Sequence, residues 1–229
     1  MYKLIYIAIS IILLTSCVGE EWKENPVDDL IEKYKDKGPV SIILRDMDLQ
    51  DGDYYHKYLI LYSQDDEFKL DSTEWMEVNE NYFILNQENL DMTIVAIDKN
   101  GEIDKLVAPP GYRHLVGNER YGRWENRSGD RVWVFLGQYY FYRTIFGWGR
   151  RPLYYSNYNH YRTNYYGSRP YYGKTGKEWG TSSSHAKKNR PNFYQRKTQK
   201  NNFVSRKRSS GFFSRSGSSG FRKGGGSGK

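Results

Sequence analysis

The first apolar pattern is an unbroken run of eleven residues, Leu4–Leu14 (LIYIAISIILL), preceded by Lys3. A membrane-spanning helix needs about 20 apolar residues to cross roughly 30 Å of hydrocarbon, so this run is too short to be a permanent span. The next pattern is helical. Val27, Leu30, Ile31 and Tyr34 follow i, i+3, i+4, i+7 spacing, Asn25 suits an N-cap, Pro26 suits the first helical position, and Asp28 and Asp29 fall in the first turn. Lys35 and Lys37 precede Gly38-Pro39, which predicts the stop. Two apolar runs follow, Val40–Leu49 and Tyr54–Tyr62, separated by Asp51-Gly52, a pair that tolerates the positive φ of a tight hairpin turn. Phe68–Val78 reads as a third strand, and Tyr82–Leu85 fits either a short helix or a strand. Met92–Asp98 and Glu102–Val107 flank Asn100-Gly101 as a second hairpin, Pro109-Pro110-Gly111 breaks the pattern, and Arg131–Leu136 reads as a buried strand. The residues from there to Phe146 form an aromatic helix or strand. A helix followed by hairpins predicts an α+β domain with a mainly antiparallel sheet.

From residue 147 onward the pattern changes. Leu153 and Val204 are the main aliphatic positions left, and the rest is rich in Gly, Ser, Asn, Arg, Lys and Tyr. Ordering a residue costs roughly 1–2 kcal/mol of backbone entropy, and a segment without aliphatic surface has little to offset it. The expectation is therefore a globular domain over 26–146, long enough for one core, and a basic Tyr/Gly/Ser-rich disordered tail over 147–229.

Charge sharpens this division. The net charge of +8 hides a split: Val18–Asp104 holds 23 acidic and 8 basic residues, whereas Lys105–Lys229 holds 4 acidic and 26 basic. Within 147–229 there are 19 Lys and Arg against the single Glu178. Such asymmetry implies a tail with an electrostatic partner.

Cys17 is the only cysteine, so disulfides are excluded and the core must be an ordinary one. It closes the sequence Leu14-Thr15-Ser16-Cys17 at the end of the first apolar run. This arrangement resembles the lipobox of bacterial lipoproteins, with Leu at −3, small residues at −2 and −1, and an obligatory Cys. The resemblance covers only about the first 17 residues. It implies a signal peptide over 1–16, removed before Cys17, and a lipidated tether over 17–25. It also implies acyl chains on Cys17 (palmitate among them) that hold the protein to a membrane, since stable anchoring takes more than one chain. Val18 rather than Asp after the cysteine favours the outer membrane in that family, on either its periplasmic or its surface face.

Motifs for chemistry are sparse. Asp46, Asp48, Asp51 and Asp53 suggest calcium, but Gly52 stands one place late for an EF-hand loop. His56, His114, His160 and His185 lie in no ligand spacing, so no metal or other cofactor is expected. Ser182–Ser184 beside His185 lacks the fixed geometry of a triad if the tail is unfolded. Pro109-Pro110-Gly111-Tyr112 has the form of a WW-domain ligand, yet in an exported protein reads as a rigid turn.

The tail carries the positive signal. Its interleaved cations and tyrosines, including Arg150, Arg151, Arg162, Arg169, Lys187, Lys188, Arg190, Arg206, Lys207 and Arg208, suit contacts to polyanions through charge and ring stacking. The exported address replaces nucleic acid, unless extracellular, by anionic envelope polymers or lipids. The favoured reading is thus a non-catalytic envelope lipoprotein that binds or organises such polymers. A second is an accessory lipoprotein whose acidic α+β domain docks an envelope protein complex. A third is an enzyme with a site around Tyr112–Trp124, which requires a pocket there that gathers carboxylates, His114 and arginines.

Overall fold

The computed structural model describes residues 25–64, 67–146, 152–191 and 193–195. The fold is α+β, with a helix followed by mainly antiparallel sheet, in the order α1 (Pro26–Tyr34), β1 (Val40–Gln50), β2 (Asp53–Gln64), β3 (Glu67–Ser72), β4 (Met76–Val78), α2 (Glu80–Asn86), β5 (Thr93–Ile97), β6 (Ile103–Asp104), β7 (Gly122–Arg127), β8 (Asp130–Phe135), α3 (Phe141–Ile145), α4 (Tyr155–Asn164) and α5 (Ser184–Asn189). The main sheet runs β3-β2-β1-β5-β6, with β4 also on β2, and its pairings are antiparallel. β7 and β8 form a separate ribbon.

Helix α1 starts where the sequence places it. The Asn25 side chain accepts from Val27 N at 3.1 Å, and Val27, Leu30, Ile31 and Tyr34 are buried. The β1–β2 hairpin closes on Asp51 and Gly52 at φ of 52° and 103°, and the β5–β6 connection uses Gly101 at 83°. The expected third strand divides in two. Between the pairs His56↔Met76 and Leu59↔Ser72, β2 advances three residues while the facing chain advances four. The extra residue bulges at Thr73, which exchanges bonds with Tyr58 through Thr73 N to Tyr58 O (3.0 Å) and Tyr58 N to Thr73 Oγ1 (3.0 Å). Tyr82–Leu85 resolves to helix α2, capped by Asn79, whose side chain accepts from Tyr82 N at 2.8 Å. The expected strand at Arg131–Leu136 is β8, while its partner β7 has no counterpart in the sequence reading; the ribbon turns on Ser128 and Gly129, at φ of 48° and 88°.

Both faces of the main sheet are covered. Val40, Ile42 and Leu44 of β1 and Tyr58, Ile60 and Tyr62 of β2 pack beneath α1 and α2, while Ile43 and Leu61 point into a second core on the opposite face. Two-sided burial explains why β1 opens as a nearly continuous apolar run. A bulge between Leu44 and Asp46 then shifts the register, so Met47 joins Leu44 in the first core and Arg45 and Asp46 sit at its margin.

The second core corrects the domain boundary. Residues 152–195 are not a disordered tail where the structure describes them: they contain α4 and α5, and they bury Leu153, Tyr161, Tyr171, Ala186 and Phe193. Tyr112 is the hub, edge-on to Tyr158, Tyr161 and Trp179 at centroid separations of 5.4–6.0 Å. The physical reason is that aromatic rings bury 150–250 Å² each and add pair geometry, so tyrosines replace the missing aliphatics. Backbone bonds pin the segment down: Tyr171 N donates to Val107 O (3.0 Å) and Thr181 N to Glu88 O (3.0 Å). Thr181 Oγ1 adds a bond to Gln87 O (2.7 Å), and Tyr172 Oη one to Asn89 Oδ1 (2.6 Å). Arg190 then forms an ion pair with Asp46 and donates to Arg45 O (3.2 Å), tying α5 to the β1 bulge. The residues of the expected tail at 147–151 and 196–229 lie outside the described residues, as do the signal segment and tether residues 17–24.

A chain ended at Phe146 should therefore lose its cooperative thermal transition by circular dichroism, because it strips the cover from the second core, whereas one ended at Gln195 should keep it. Acid should also destabilise the protein. His56 is buried against Tyr58, Tyr82 and Phe83, and burial pushes its imidazole down to about 3. The unfolded chain takes up this proton near pH 6.5, so the contribution is fully present above that pH and lost as pH falls toward 3. The slope is at most about 1.4 kcal/mol per pH unit. Urea midpoints between pH 7 and pH 4 measure it, and His56→Gln should flatten the dependence.

Candidate functional site

One end of the main sheet, where β1 begins, β2 ends and β5 ends, opens into a cleft of about 620 Å³. Its roof is the loop that follows Pro109-Pro110, and Tyr166, just beyond α4, closes one side. The loop is built from short-range bonds: Tyr112 N to Pro109 O (3.2 Å), Leu115 N and Val116 N to Gly111 O (2.9 and 3.0 Å), and Tyr121 N to Asn118 O (2.9 Å). Gly111 supplies φ of 74° at the turn. Pro109, Pro110 and Tyr112 are buried, so Pro-Pro-Gly-Tyr acts as a structural corner that drives Tyr112 into the second core.

This corner places Arg113 and His114 in the cleft. The Arg113 side chain is only 5 % exposed; it pairs with Asp104 and donates from Nη2 to Leu106 O at 3.0 Å. Its guanidinium also lies 5.2 Å from the Tyr166 ring centre, and Nε is buried without an acceptor. His114 Nε2 lies 3.1 Å from Val40 O, which can only accept, so Nε2 carries the proton and Nδ1 is left as acceptor. Burial holds this imidazole below its ordinary range, with the nearby Arg113 charge adding to the effect. Opposite, Asp98 accepts from Asn100 N (2.8 Å) and Glu102 N (2.9 Å), and these backbone bonds, that of Glu102 foremost, lower its carboxyl. Glu102 and Lys99 stand exposed on the rim, and Arg120 lines the mouth.

The pocket required by the third reading is thus present, with Asp98, Glu102, Asp104, Arg113, His114 and Arg120 in one cleft. Two of these carboxylates have structural duties: Asp98 fastens the β5–β6 turn and Asp104 neutralises Arg113. The arrangement offers a ligand fixed donors and acceptors. Trp124, by contrast, lies outside it, edge-on to Trp133 at 5.1 Å and Tyr155 at 5.1 Å.

The tail cations fall in several places. Arg162 and Arg169 are exposed and lie 4.3 Å from the ring centres of Tyr166 and Tyr165, so Arg162 shares a ring with Arg113 at the cleft. Lys187 and Lys188 are exposed on α5, with Lys187 5.0 Å from the Tyr194 ring centre, and Arg190 is held by Asp46. Arg150, Arg151, Arg206, Lys207 and Arg208, together with Cys17, lie outside the described residues. The four aspartates of the β1–β2 hairpin go to local uses. Asp46 accepts from Met47 N and Asp48 from Leu49 N, both at 2.9 Å, Asp51 forms the turn, and Asp53 opens β2.

Compared with protein-family models, curated proteins and solved structures, the chain matches none.

Two substitutions test how residues 152–195 pack onto the rest of the fold. The Tyr112 hydroxyl is buried without a partner, so Tyr112→Phe should keep or raise stability by up to about 1 kcal/mol, since it removes an unsatisfied polar group. Gly180, at φ of 74°, presses against the Glu88 carbonyl, where a Cβ has no room. Gly180→Ala should cost about 2 kcal/mol or more. Chemical denaturation of both variants measures the pair.

Proposed function

We propose that the chain is a non-catalytic cell-envelope lipoprotein, anchored by acyl chains on Cys17, that binds anionic envelope polymers or surfaces through its basic C-terminal residues. One observation carries the reading: the aromatic half of the expected tail is spent on the fold, and the sequence from Arg196 to Lys229 still holds ten Lys and Arg with no Asp or Glu. Arg190 is neutralised by Asp46, and Arg162 and Arg169 stack on tyrosines. The weight of the attraction therefore passes to Arg206-Lys207-Arg208 and its neighbours, together with exposed Lys187 and Lys188 on α5.

The mechanism is electrostatic. Cations near an anionic surface contribute about 1 kcal/mol each, and the attraction decays within a Debye length of roughly 8 Å at physiological salt. The anchor supplies permanence and the basic residues supply the choice of surface. Lipopolysaccharide phosphates and anionic phospholipid headgroups share the relevant chemistry.

The test uses the full chain with Arg206, Lys207 and Arg208 changed together to Glu, sedimented with phosphatidylglycerol vesicles, phosphatidylcholine vesicles or lipopolysaccharide. The parent should bind the anionic arms at low salt and release in 1 M salt. The variant should bind at least about a hundredfold more weakly. Equal binding by parent and variant, or binding indifferent to salt, would overturn the reading, and the ratio between the phospholipid and lipopolysaccharide arms separates the two sources. Cys17→Ala should move the protein out of the membrane fraction.

A further inference from the structure

Where β8 runs into α3, the fold turns large apolar side chains out to water. Tyr140 is 53 % and Phe141 45 % exposed, and Leu136 and Tyr154 are exposed beside them. These rings are held, not loose. Tyr142 and Phe146 are four residues apart, hence on one side of α3, and both are buried in the second core. Tyr142 Oη also donates to Phe68 O at 2.7 Å. With that side fixed inward, Tyr140 and Phe141 have only the solvent side left. Tyr139 N to Leu136 O (2.8 Å) and Tyr140 N to Gly137 O (3.1 Å) close the turn that carries them.

Cations surround this corner. Arg127 and Arg143 line one groove of about 480 Å³ with Tyr140 and Tyr154. The Arg143 guanidinium lies 5.7 Å from the Tyr140 ring centre, and exposed Arg131 lies 3.6 Å from that of Tyr155. From β7 to α3, Gly122–Ile145, the chain carries four Arg against Glu125 and Asp130. A second exposed apolar pair, Ile84 and Leu85 on α2, has the opposite setting. Met76–Glu88 carries Glu77, Glu80 and Glu88 with no Lys or Arg. An anionic surface would therefore be repelled at α2 and attracted at the β8–α3 corner. The basic C-terminal residues leave the fold nearby: Arg45 donates to Ile145 O of α3 at 3.4 Å and accepts Arg190 on its own carbonyl at 3.2 Å.

We infer that the β8–α3 corner is the surface by which the folded domain seats itself on an anionic phospholipid bilayer, an inference that rests on the surface-binding reading above. Leu136, Tyr140 and Phe141 enter the boundary between headgroups and acyl chains, which suits rings with an apolar body and a polar tip. Arg127, Arg131 and Arg143 meet the phosphates, whose oxygens match the guanidinium fork. The anchor keeps such a bilayer within reach, since residues 17–24 span at most about 28 Å. The C-terminal cations then set the attraction, and the corner sets which side of the domain faces the lipid.

The experiment exploits the lone thiol. In the full chain with Cys17→Ala, an introduced cysteine takes an environment-sensitive fluorophore at one place. Thr144→Cys, exposed on α3 three residues from Phe141, reports the corner, and Leu85→Cys reports the acidic side. The probes are vesicles of phosphatidylglycerol, vesicles of phosphatidylcholine, and lipopolysaccharide. Phosphatidylglycerol should shift the Thr144→Cys emission to the blue and leave Leu85→Cys unchanged. Tyr140→Ser with Phe141→Ser should weaken sedimentation with these vesicles about tenfold. Both side chains are exposed, so the thermal transition should stay. Sedimentation with vesicles but no shift at Thr144→Cys overturns the corner and spares the surface-binding reading. No sedimentation by the parent overturns both. A Thr144→Cys shift that survives the change of Arg206, Lys207 and Arg208 to Glu upholds the corner independently of those cations. Equal shifts at both labels, a shift on lipopolysaccharide alone, or one that grows with protein concentration without vesicles (a second copy of the chain) would also overturn the inference.

Discussion

A sheet that is apolar on both faces must be covered on both, and this requirement governs the rest of the molecule. β1 makes it unavoidable, because Ile42 and Ile43 are adjacent, point to opposite sides and are each at most 2 % exposed. The first face is covered by Val27, Leu30, Ile31 and Tyr34 of α1 and by Phe83 of α2. The second face is covered by rings, with Tyr112, Tyr161 and Tyr171 at its centre and Trp133, Phe135 and Tyr142 toward the ribbon. Remove the tyrosine-rich segment and the sheet has a dry half and a wet half, which its composition does not suit.

Tyrosine cover brings a polar obligation that aliphatic cover does not. Each buried hydroxyl must find an acceptor or remain unsatisfied at about 1–3 kcal/mol. Tyr142 Oη reaches Phe68 O at 2.7 Å and Tyr171 Oη reaches Asn157 O at 3.2 Å, whereas the hydroxyls of Tyr112 and Tyr161 are buried without partners. The same residues that complete the core also hold the cleft's roof, since the chain passes directly from Tyr112 in the core to Arg113 and His114 in the cleft. Core packing and site geometry are therefore one arrangement here, set by the Pro-Pro-Gly corner.

Local grammar made part of this legible. The Asn25 cap, the Asp-Gly and Asn-Gly turns and the apolar runs of β1 and β2 act over a few residues, and each appears where the spacing places it. Of the ribbon only β8 is legible, as the apolar run at Arg131–Leu136; β7 is not, because Gly122–Arg127 (GRWENR) carries little apolar alternation, although Ser128-Gly129 offers a turn signal. The second core is hidden for a different reason: aliphatic poverty does not imply lack of burial, and tyrosine burial depends on partners 40 or more residues away, as with Tyr112 and Tyr161. The cleft was foreshadowed only by the polar and aromatic mixture around Tyr112–Trp124. Its carboxylates come from Asp98, Glu102 and Asp104 on the second hairpin, which no linear spacing connects to Arg113 and His114.

The two ends of the described fold share a face of the sheet: Val27 and Leu30 near its start, and Ala186 and Phe193 near its end, belong to the same core. Residues 17–24 can span at most about 28 Å. With Cys17 acylated, the basic stretch that continues beyond Gln195 would be delivered near the same membrane that holds the lipid. Anchor and cations then behave as a bivalent ligand, in which the first attachment sets the effective concentration for the second. Individually weak cation contacts would gain the avidity of a tethered pair, and a short leash would set the reach over which the protein samples its surroundings.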